Sequence, residues 1–258
     1  PKIEIERFYY TENEEEIVEN LIKLSKPNKE VKTIFVWPEG VFNNTELKNL
    51  KKYQNIFKEK FSNKHLIIFG INNTVNDKTF NSMAVVNNNL DLIEFYNKNN
   101  LVPFGEFLPL EKLLKNIGMK TITNFYNSYS PGEKRDTIGL QNYEFDITFL
   151  PLICYEIIYS GKLSKNNNYD LIINISEDGW FGKSIGPYQH FSHSIFRSIE
   201  EGKSIIRSTN NGTSALINPN GQVSKISEST YEGVIEINQI KNPKKTFFSK
   251  YGNNMFFY

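Results

Sequence analysis

Three short segments of the chain each place a chemically reactive side chain directly after a strand-like run. The reactive residues are Glu39, Lys98 and Cys154, in that order along the chain. Side chains at the ends of strands are held rigidly and face clefts, which suits catalysis. A carboxylate, an ammonium group and a thiol held close together are suited to nucleophilic attack on a carbonyl carbon. The pattern therefore predicts an active site assembled from three distant parts of the chain.

Each of the three groups has its own role in such chemistry. A thiol with an ordinary pKa of about 8.5 is only slightly ionised at neutral pH, so a base must take its proton before it attacks. Glu39 is the candidate base, and proton transfer of this kind contributes roughly 10²–10⁴ in rate. The attack creates an oxyanion, for which Lys98 and the backbone N–H after Cys154 are candidate donors. Each such donor contributes on the order of 10²–10³ in rate.

Taken one at a time, the three residues have ordinary alternative roles. A cysteine at the end of a strand is more often a small buried hydrophobic residue than a nucleophile. Glu39 follows Trp37-Pro38, as a loop carboxylate does, and Lys98 precedes two asparagines, as a solvated surface charge does. The prediction of catalysis therefore depends on the joint pattern.

The composition limits the partners of the protein. The chain has 258 residues and a formal net charge of +1, with Lys and Arg scattered among Asp and Glu. This distribution gives no continuous run of basic residues that could follow a phosphate backbone, so nucleic acid is not an expected partner. No run approaches the roughly 20 apolar residues that span a bilayer. The length is consistent with a single domain over 1–258.

Strand-like and helix-like patterns alternate along the chain, which predicts an α/β fold. Several strand candidates are apolar at consecutive positions, which is typical of sheets buried on both faces. The sequence Asn-Pro-Asn-Gly at 218–221 predicts a hairpin turn. The predicted strands are 33–37, 66–71, 82–87, 90–96, 147–153, 170–175, 204–209, 213–217 and 233–237. The predicted helices are about 13–25, 46–62, 110–116 and 187–202.

The last predicted helix carries an apolar stripe, which is expected to pack on a sheet. Its members are Phe191, Ile195 and Ile199, and the charged residues expected off the stripe are Arg197, Glu200 and Glu201.

His190 and His193 lie three residues apart on the same predicted helix, a spacing compatible with metal binding. No third ligand of suitable spacing accompanies them. Capping or hydrogen bonding in the core is the preferred interpretation, and neither a metal site nor a cofactor is predicted.

The joint pattern resembles the nitrilase, or carbon–nitrogen hydrolase, superfamily, whose members use a Glu, Lys and Cys triad in this chain order. Within it, the chain is most similar to the apolipoprotein N-acyltransferase family. The stretches 101–106 and 178–182 are typical of that family rather than of soluble amidases. The resemblance covers nearly the whole chain, and its main segments are Trp37-Pro38-Glu39, Tyr96-Asn97-Lys98, 101–106, Cys154-Tyr155-Glu156, 174–182 and 186–210.

By position, the resemblance implies that Glu39 is the general base, Lys98 the oxyanion-stabilising lysine and Cys154 the nucleophile. Three further residues fall on positions that are important for activity in the family: Glu106, Tyr155 and Glu156. Glu106 is expected to orient Glu39 or Lys98 by hydrogen bonding.

The resemblance further implies a four-layer α–β–β–α sandwich, whose first strand would precede this sequence. It implies that an acyl chain passes from a phospholipid, through a thioester on Cys154, to the N-terminal amine of a diacylglyceryl-cysteine lipoprotein. The partners would thus be a phospholipid donor and an apolipoprotein acceptor. The domain is expected on the periplasmic side of the bacterial inner membrane, in a longer protein whose flanking segments span that membrane.

Aromatic residues near the predicted site raise the question of lipid contact. Exposed apolar patches often mark binding surfaces, and long, poorly patterned regions such as 103–145 are often functional lids. Core packing is the alternative role for the two aromatics at 180 and 181. The candidate substrate-binding aromatics are Trp180, Phe181, Phe104, Phe125 and Tyr126.

Two other functions compete with acyl transfer. A soluble amidase or nitrilase would use the same triad on a small substrate, with water as the second nucleophile. A catalytically inactive binding module would keep the fold but lose a triad member, and all three members are present here.

Overall fold

Two β-sheets form the centre of the fold in the computed structural model, which describes residues 1–5, 14–110, 128–161, 163–164, 168–227 and 232–256. The first sheet has the order β1-β3-β4-β5, with β2 also paired to β3. Strand β3 runs parallel to β1 and antiparallel to β4. The strands of this sheet are β1 Thr33–Val36, β2 Phe42–Glu46, β3 His65–Val75, β4 Lys78–Asn87 and β5 Leu92–Asn97.

The second sheet has the order β11-β10-β9-β8-β7-β6. Its central strands β7, β8 and β9 are parallel, so the ends of β7 and β8 lie at the same edge. The strands of this sheet are β6 Ile138–Gly139, β7 Thr148–Ile153, β8 Leu171–Glu177, β9 Ser204–Asn210, β10 Ser214–Ile217 and β11 Val223–Ser227.

The helices lie before, between and after these strands. The α-helices are α1 Glu14–Ser25, α2 Gln54–Lys60, α3 Gly186–Glu201 and α4 Phe247–Tyr251. The 3-10 helices are Leu47–Tyr53, Gln141–Tyr143, Cys154–Ile158, Asp178–Phe181 and Gly252–Phe256. No helix in the described part of the chain is long and apolar enough to cross a bilayer.

Three apolar clusters establish the layers of the fold. Alternate residues of a strand point to opposite faces, so Ile67 and Phe69 of β3 pack with α1 and α2, while Leu66 and Ile68 pack against the second sheet. On the second sheet, Ile172 of β8 packs in a third cluster with residues of α3. The order is therefore helix, sheet, sheet, helix, and the predicted α–β–β–α sandwich is confirmed.

Most predicted elements are present, with two differences. The predicted strand 233–237 is wrong, because those residues are irregular and β11 pairs with β10 after the predicted hairpin turn. Strand β11 is mostly exposed and polar, which hides its strand pattern in the sequence. The predicted helix 46–62 is a 3-10 helix followed by α2. The predicted helix 110–116 lies outside the described residues after Leu110.

The interpretation of the last helix, α3, needs correction. Ile199, assigned to the packed stripe, is 45% exposed, while Arg197 and Glu201, placed off the stripe, are buried. Phe191 and Ile195 of the stripe do pack in the third cluster, but they are only partly buried, and the fully buried positions of α3 are polar. Arg197 Nη1 donates to the Ile158 carbonyl at 3.0 Å.

Strand β1 is the edge of the first sheet among the described residues. The N–H groups of Thr33 and Trp37 donate towards β3 at 3.1 and 2.8 Å. The backbone N–H groups of the alternate residues Ile34 and Val36 therefore point away from β3. A groove of about 630 Å³ lies beside this edge.

Candidate active site

The fold brings the three predicted catalytic residues together. Glu39 follows β1, Lys98 follows β5 and Cys154 follows β7, so each lies just beyond the end of a strand. All three are buried, with exposures of 8%, 1% and 9%. Lys98 Nζ lies 3.8 Å from Glu39 Oε1. The charges of Glu39 and Lys98 both act on the thiol and shift its pKa, so carboxylate, ammonium and thiol share one site.

Glu39 is held by two hydrogen bonds and by a close backbone contact. Its Oε2 accepts from the Glu177 backbone N–H at 2.9 Å, and its Oε1 accepts from Asn81 Nδ2 at 2.7 Å. A Cβ at Gly70 on β3 would lie 2.7 Å from the Glu39 Cα, so only glycine allows this approach. Burial raises the pKa of Glu39, and the opposing charge of Lys98 offsets this only in part. A raised pKa makes the carboxylate a better base.

Glu106 is the direct partner of Lys98. Lys98 Nζ lies 3.0 Å from each carboxylate oxygen of Glu106. The same carboxylate accepts from Asn81 Nδ2 at 2.9 Å and from the Val102 N–H at 2.9 Å. Burial alone would lower the pKa of Lys98, but the charges of Glu106 and Glu39 outweigh it and the pKa is raised. The ammonium group therefore stays charged.

Cys154 lies at a sharp turn between β7 and the 3-10 helix Cys154–Ile158. Its φ is +49°, in the left-handed region, which costs a non-glycine residue roughly 1–2 kcal/mol. Burial raises the pKa of the thiol, the negative charge of Glu39 raises it further, and the Ser176 side chain hydrogen-bonds to it. The thiol is therefore protonated at neutral pH, and reaction requires a base such as Glu39.

Glu156 connects the Cys154 turn to the Lys98 loop. It is fully buried, and its Oε2 accepts from the Ile153 N–H at 2.9 Å. Its Oε1 accepts hydrogen bonds from four donors at 2.6–3.1 Å: Tyr96 Oη, Asn99 N, Asn100 N and Arg135 Nη2. One carboxylate therefore fixes both loops relative to each other.

Tyr155 follows Cys154, and its backbone N–H is the candidate main-chain oxyanion donor. Its half-buried ring packs edge-on against Tyr159, with the ring centroids 5.6 Å apart. The side chain also hydrogen-bonds to the Tyr159 side chain, so its position fits support of the turn.

The candidate substrate-binding aromatics are only partly described. Phe104, Trp180 and Phe181 are 47%, 37% and 38% exposed, which fits a binding surface better than core packing. Phe125 and Tyr126 lie outside the described residues.

His190 on α3 contacts the nucleophile's own backbone. Its Nε2 lies 3.1 Å from the Cys154 carbonyl oxygen, and its Nδ1 lies 2.8 Å from Asp178 Oδ1. Arg207 Nη2 donates to both oxygens of Asp178, at 3.1 and 2.8 Å. The described part of the chain contains no group of three or more His, Cys, Asp or Glu residues suited to a metal ion.

Sequence reasoning missed several of these residues. Asn81, which bridges Glu39 and Glu106, lies in β4 outside any recognisable motif. The only available signal was a polar residue beside an apolar strand. Ser176 and Asp178 lie in a segment that carried the family resemblance, but nothing in their spacing connected them to Cys154.

A sequence model of the carbon–nitrogen hydrolase family matches residues 36–240. The chain belongs to the carbon–nitrogen hydrolase family. Apolipoprotein N-acyltransferase from Wigglesworthia glossinidia brevipalpis is 35% identical over 212 residues, which cover 80% of this chain and 42% of that protein. The enzyme of the same name from Rickettsia typhi is 41% identical over 175 residues, which cover 66% of this chain and 33% of that protein. The chain therefore spans less than half the length of these curated relatives.

Solved structures with low sequence identity share the carbon–nitrogen hydrolase fold. A cysteine-to-alanine mutant of an amidase from Nesterenkonia AN1, of the nitrilase superfamily, has a TM-score of 0.59 at 10% identity, covering 84% of this chain and 82% of that one. Glutamine-dependent NAD⁺ synthetase from Acinetobacter baumannii has a TM-score of 0.61 at 17% identity, covering 90% of this chain and 46% of that one.

Proposed function

We propose that this chain is the catalytic domain of a longer enzyme that transfers an acyl chain from a phospholipid to the N-terminal amine of a lipoprotein. The observation that carries the proposal is the shared buried site of Glu39, Lys98 and Cys154, with Lys98 Nζ 3.8 Å from Glu39 Oε1. The named relatives support acyl transfer to apolipoprotein over other reactions of the family. The domain would act at the periplasmic face of the bacterial inner membrane.

In the first half-reaction, Glu39 takes the proton from the Cys154 thiol. The thiolate attacks the ester carbonyl of the phospholipid, and Lys98 and the Tyr155 N–H stabilise the oxyanion. The carbon–oxygen bond breaks, and the leaving alkoxide takes the proton from Glu39. A lysophospholipid leaves, and the acyl chain remains on sulfur as a thioester.

In the second half-reaction, the α-amino group of a diacylglyceryl-cysteine attacks the thioester carbonyl. Glu39 accepts the proton that the amine loses, the carbon–sulfur bond breaks, and the thiolate recovers its proton. An amide is more stable than a thioester, so this step proceeds without a further energy source. The exposed aromatics Phe104, Trp180 and Phe181 would contact the acyl chains.

The decisive experiment is incubation of the complete protein with phospholipid, followed by mass spectrometry of the peptide that contains Cys154. We expect a mass increase of one acyl group, which disappears when a diacylglyceryl-cysteine peptide is added. Cys154→Ala is the control and should abolish both the adduct and turnover.

Two results would contradict the proposal. Release of ammonia from simple amides, without a thioester from phospholipid, would favour the soluble amidase or nitrilase activity. Full turnover by Cys154→Ala would remove Cys154 from the reaction.

A further inference from the structure

We propose that His190 is a positioning residue, which aims the oxyanion donor of the site by holding the carbonyl group of Cys154. This inference rests on the proposed role of Cys154 as the nucleophile. His190 lies on α3 and contacts the main chain of the nucleophile, whereas the three proposed catalytic side chains all lie just beyond the ends of strands.

The His190 ring lies in a buried polar cluster that fixes its orientation. His190, Asp178 and Arg207 are 3%, 0% and 2% exposed. Asp178 accepts from Ser176 Oγ at 2.8 Å in addition to its two bonds from Arg207. These contacts hold the carboxylate, and the carboxylate in turn holds the Nδ1 side of the ring at 2.8 Å.

The other side of the ring faces the Cys154 carbonyl, which can only accept a hydrogen bond. Nε2 must therefore carry a proton for the 3.1 Å contact to be a hydrogen bond. Asp178 Oδ1, 2.8 Å from Nδ1, is likewise only an acceptor, so the geometry places a proton on each ring nitrogen. Burial, and then the charge of Arg207, lower the pKa of His190, while the hydrogen bond to Asp178 and the charge of that carboxylate oppose this.

Holding this carbonyl also fixes the candidate oxyanion donor. The peptide unit between Cys154 and Tyr155 is planar, so its C=O and N–H point in opposite directions. Whatever sets the direction of the Cys154 carbonyl therefore sets the direction of the Tyr155 N–H. His190 pulls the carbonyl towards α3, which turns the N–H away from that helix.

The strain at Cys154 makes such support necessary. Its left-handed φ of +49° is unfavourable for a residue with a side chain, so the turn persists only where neighbouring contacts hold it. Glu156 accepts from the N–H of Ile153, just before the turn, and His190 holds the carbonyl group of Cys154 within it. Loss of either contact lets the peptide unit rotate.

The test compares two amide substitutions in the complete protein. In His190→Gln, the amide nitrogen reaches about as far as Nε2 and can still donate to the carbonyl. In His190→Asn, the amide nitrogen reaches only the position of Nδ1, so the carbonyl bond is lost. His193→Gln is the matched control, since His193 is a half-buried histidine on the same helix.

Two reactions of Cys154 are measured, neither of which depends on phospholipid. Acylation by a p-nitrophenyl ester forms an oxyanion, whereas alkylation by iodoacetamide does not. We expect His190→Asn to slow acylation on the order of 10²-fold and to change alkylation less than about 5-fold, while His190→Gln stays within about 10-fold of the parent protein in acylation. A role limited to folding would slow both reactions together.

The inference is overturned if folded His190→Asn is acylated at the parent rate, or if folded His190→Gln is as slow as His190→Asn. It is overturned as well if alkylation falls as much as acylation. Should His190→Asn not fold, His190→Gln decides, and a fall of about 10²-fold in its acylation refutes the inference.

Failure of the proposed function is distinguishable, since the parent protein would then react with the p-nitrophenyl ester but not with phospholipid. A parent protein that is alkylated at Cys154 but not acylated by the ester contradicts both.

Discussion

Replacing Glu156 with glutamine tests whether one buried carboxylate fixes the Cys154 turn to the Lys98 loop. The carboxylate accepts from five donors, including Arg135 Nη2 at 2.8 Å and the Ile153 N–H at 2.9 Å. Glutamine has one acceptor oxygen and one NH₂ group, so it cannot accept on both sides. If its oxygen faces Arg135, its NH₂ group faces the Ile153 N–H, and two donors oppose each other.

The magnitude follows from the two contacts that are lost. An unsatisfied buried N–H costs about 1–3 kcal/mol. A buried guanidinium group that loses its counter-charge costs about 3–5 kcal/mol, and the two effects overlap at one site. We therefore expect Glu156→Gln to lower the free energy of unfolding by roughly 3–5 kcal/mol. For a domain of this size, that lowers Tm by roughly 6–20 °C.

The assay combines thermal unfolding of the complete protein with acylation of Cys154 below the transition. Acylation should fall on the order of 10²-fold, because the turn loses the Ile153 contact and the reacting groups move apart. Glu94→Gln is the control, since Glu94 is an exposed glutamate on β5 and should leave Tm and acylation unchanged. If Glu156→Gln unfolds at the parent temperature and is acylated at the parent rate, Glu156 does not fix the turn.

Three further predictions concern single groups of the site. Glu39→Gln should slow acylation of Cys154 by roughly 10²–10⁴, measured with a p-nitrophenyl ester, because the protonated thiol loses its base. Gly70→Ala should lower the free energy of unfolding by about 1–3 kcal/mol in denaturant titrations, since its Cβ would lie 2.7 Å from the Glu39 Cα. Burial would raise the pKa of Asp178, but the charge of Arg207 and the hydrogen bond and charge of His190 together lower it from 3.8 to about 2. A lowered pKa in the folded state gives stability that is complete above pH 3.8 and is lost as the pH falls towards 2, so acid unfolding of Asp178→Asn should be less steep there.

The layers of the fold were predictable because each depends on a local pattern. Consecutive apolar residues in β3 and β8 indicated sheets covered on both faces, and Ile67 and Ile68 indeed face opposite layers. Strand β11 and the buried face of α3 were not predictable in this way. Strand β11 is polar because it lies at an exposed edge, and the fully buried positions of α3 are polar because some of them meet main-chain carbonyls. Hydrophobic periodicity identifies apolar buried faces, so it predicts neither this strand nor these positions.

The proposed catalytic side chains were found because each ends a strand, but their supporting contacts were not. Asn81 reaches Glu39 and Glu106 across the first sheet, and His190 reaches Cys154 from another layer. Such contacts join residues that are tens of positions apart, and they depend on register and helix orientation. A single sequence carries no record of either, so polar support between layers is visible only in the folded chain.

The position of Glu106 explains how a base and a cation can share one small site. A lysine paired directly with Glu39 would stabilise its ionised form and weaken it as a base. Lys98 Nζ instead lies 3.0 Å from both oxygens of Glu106 and 3.8 Å from Glu39. The negative charge of Glu106 also raises the pKa of Glu39. The second carboxylate therefore keeps Lys98 charged for the oxyanion while leaving Glu39 basic enough to take a proton from a thiol whose own pKa is raised.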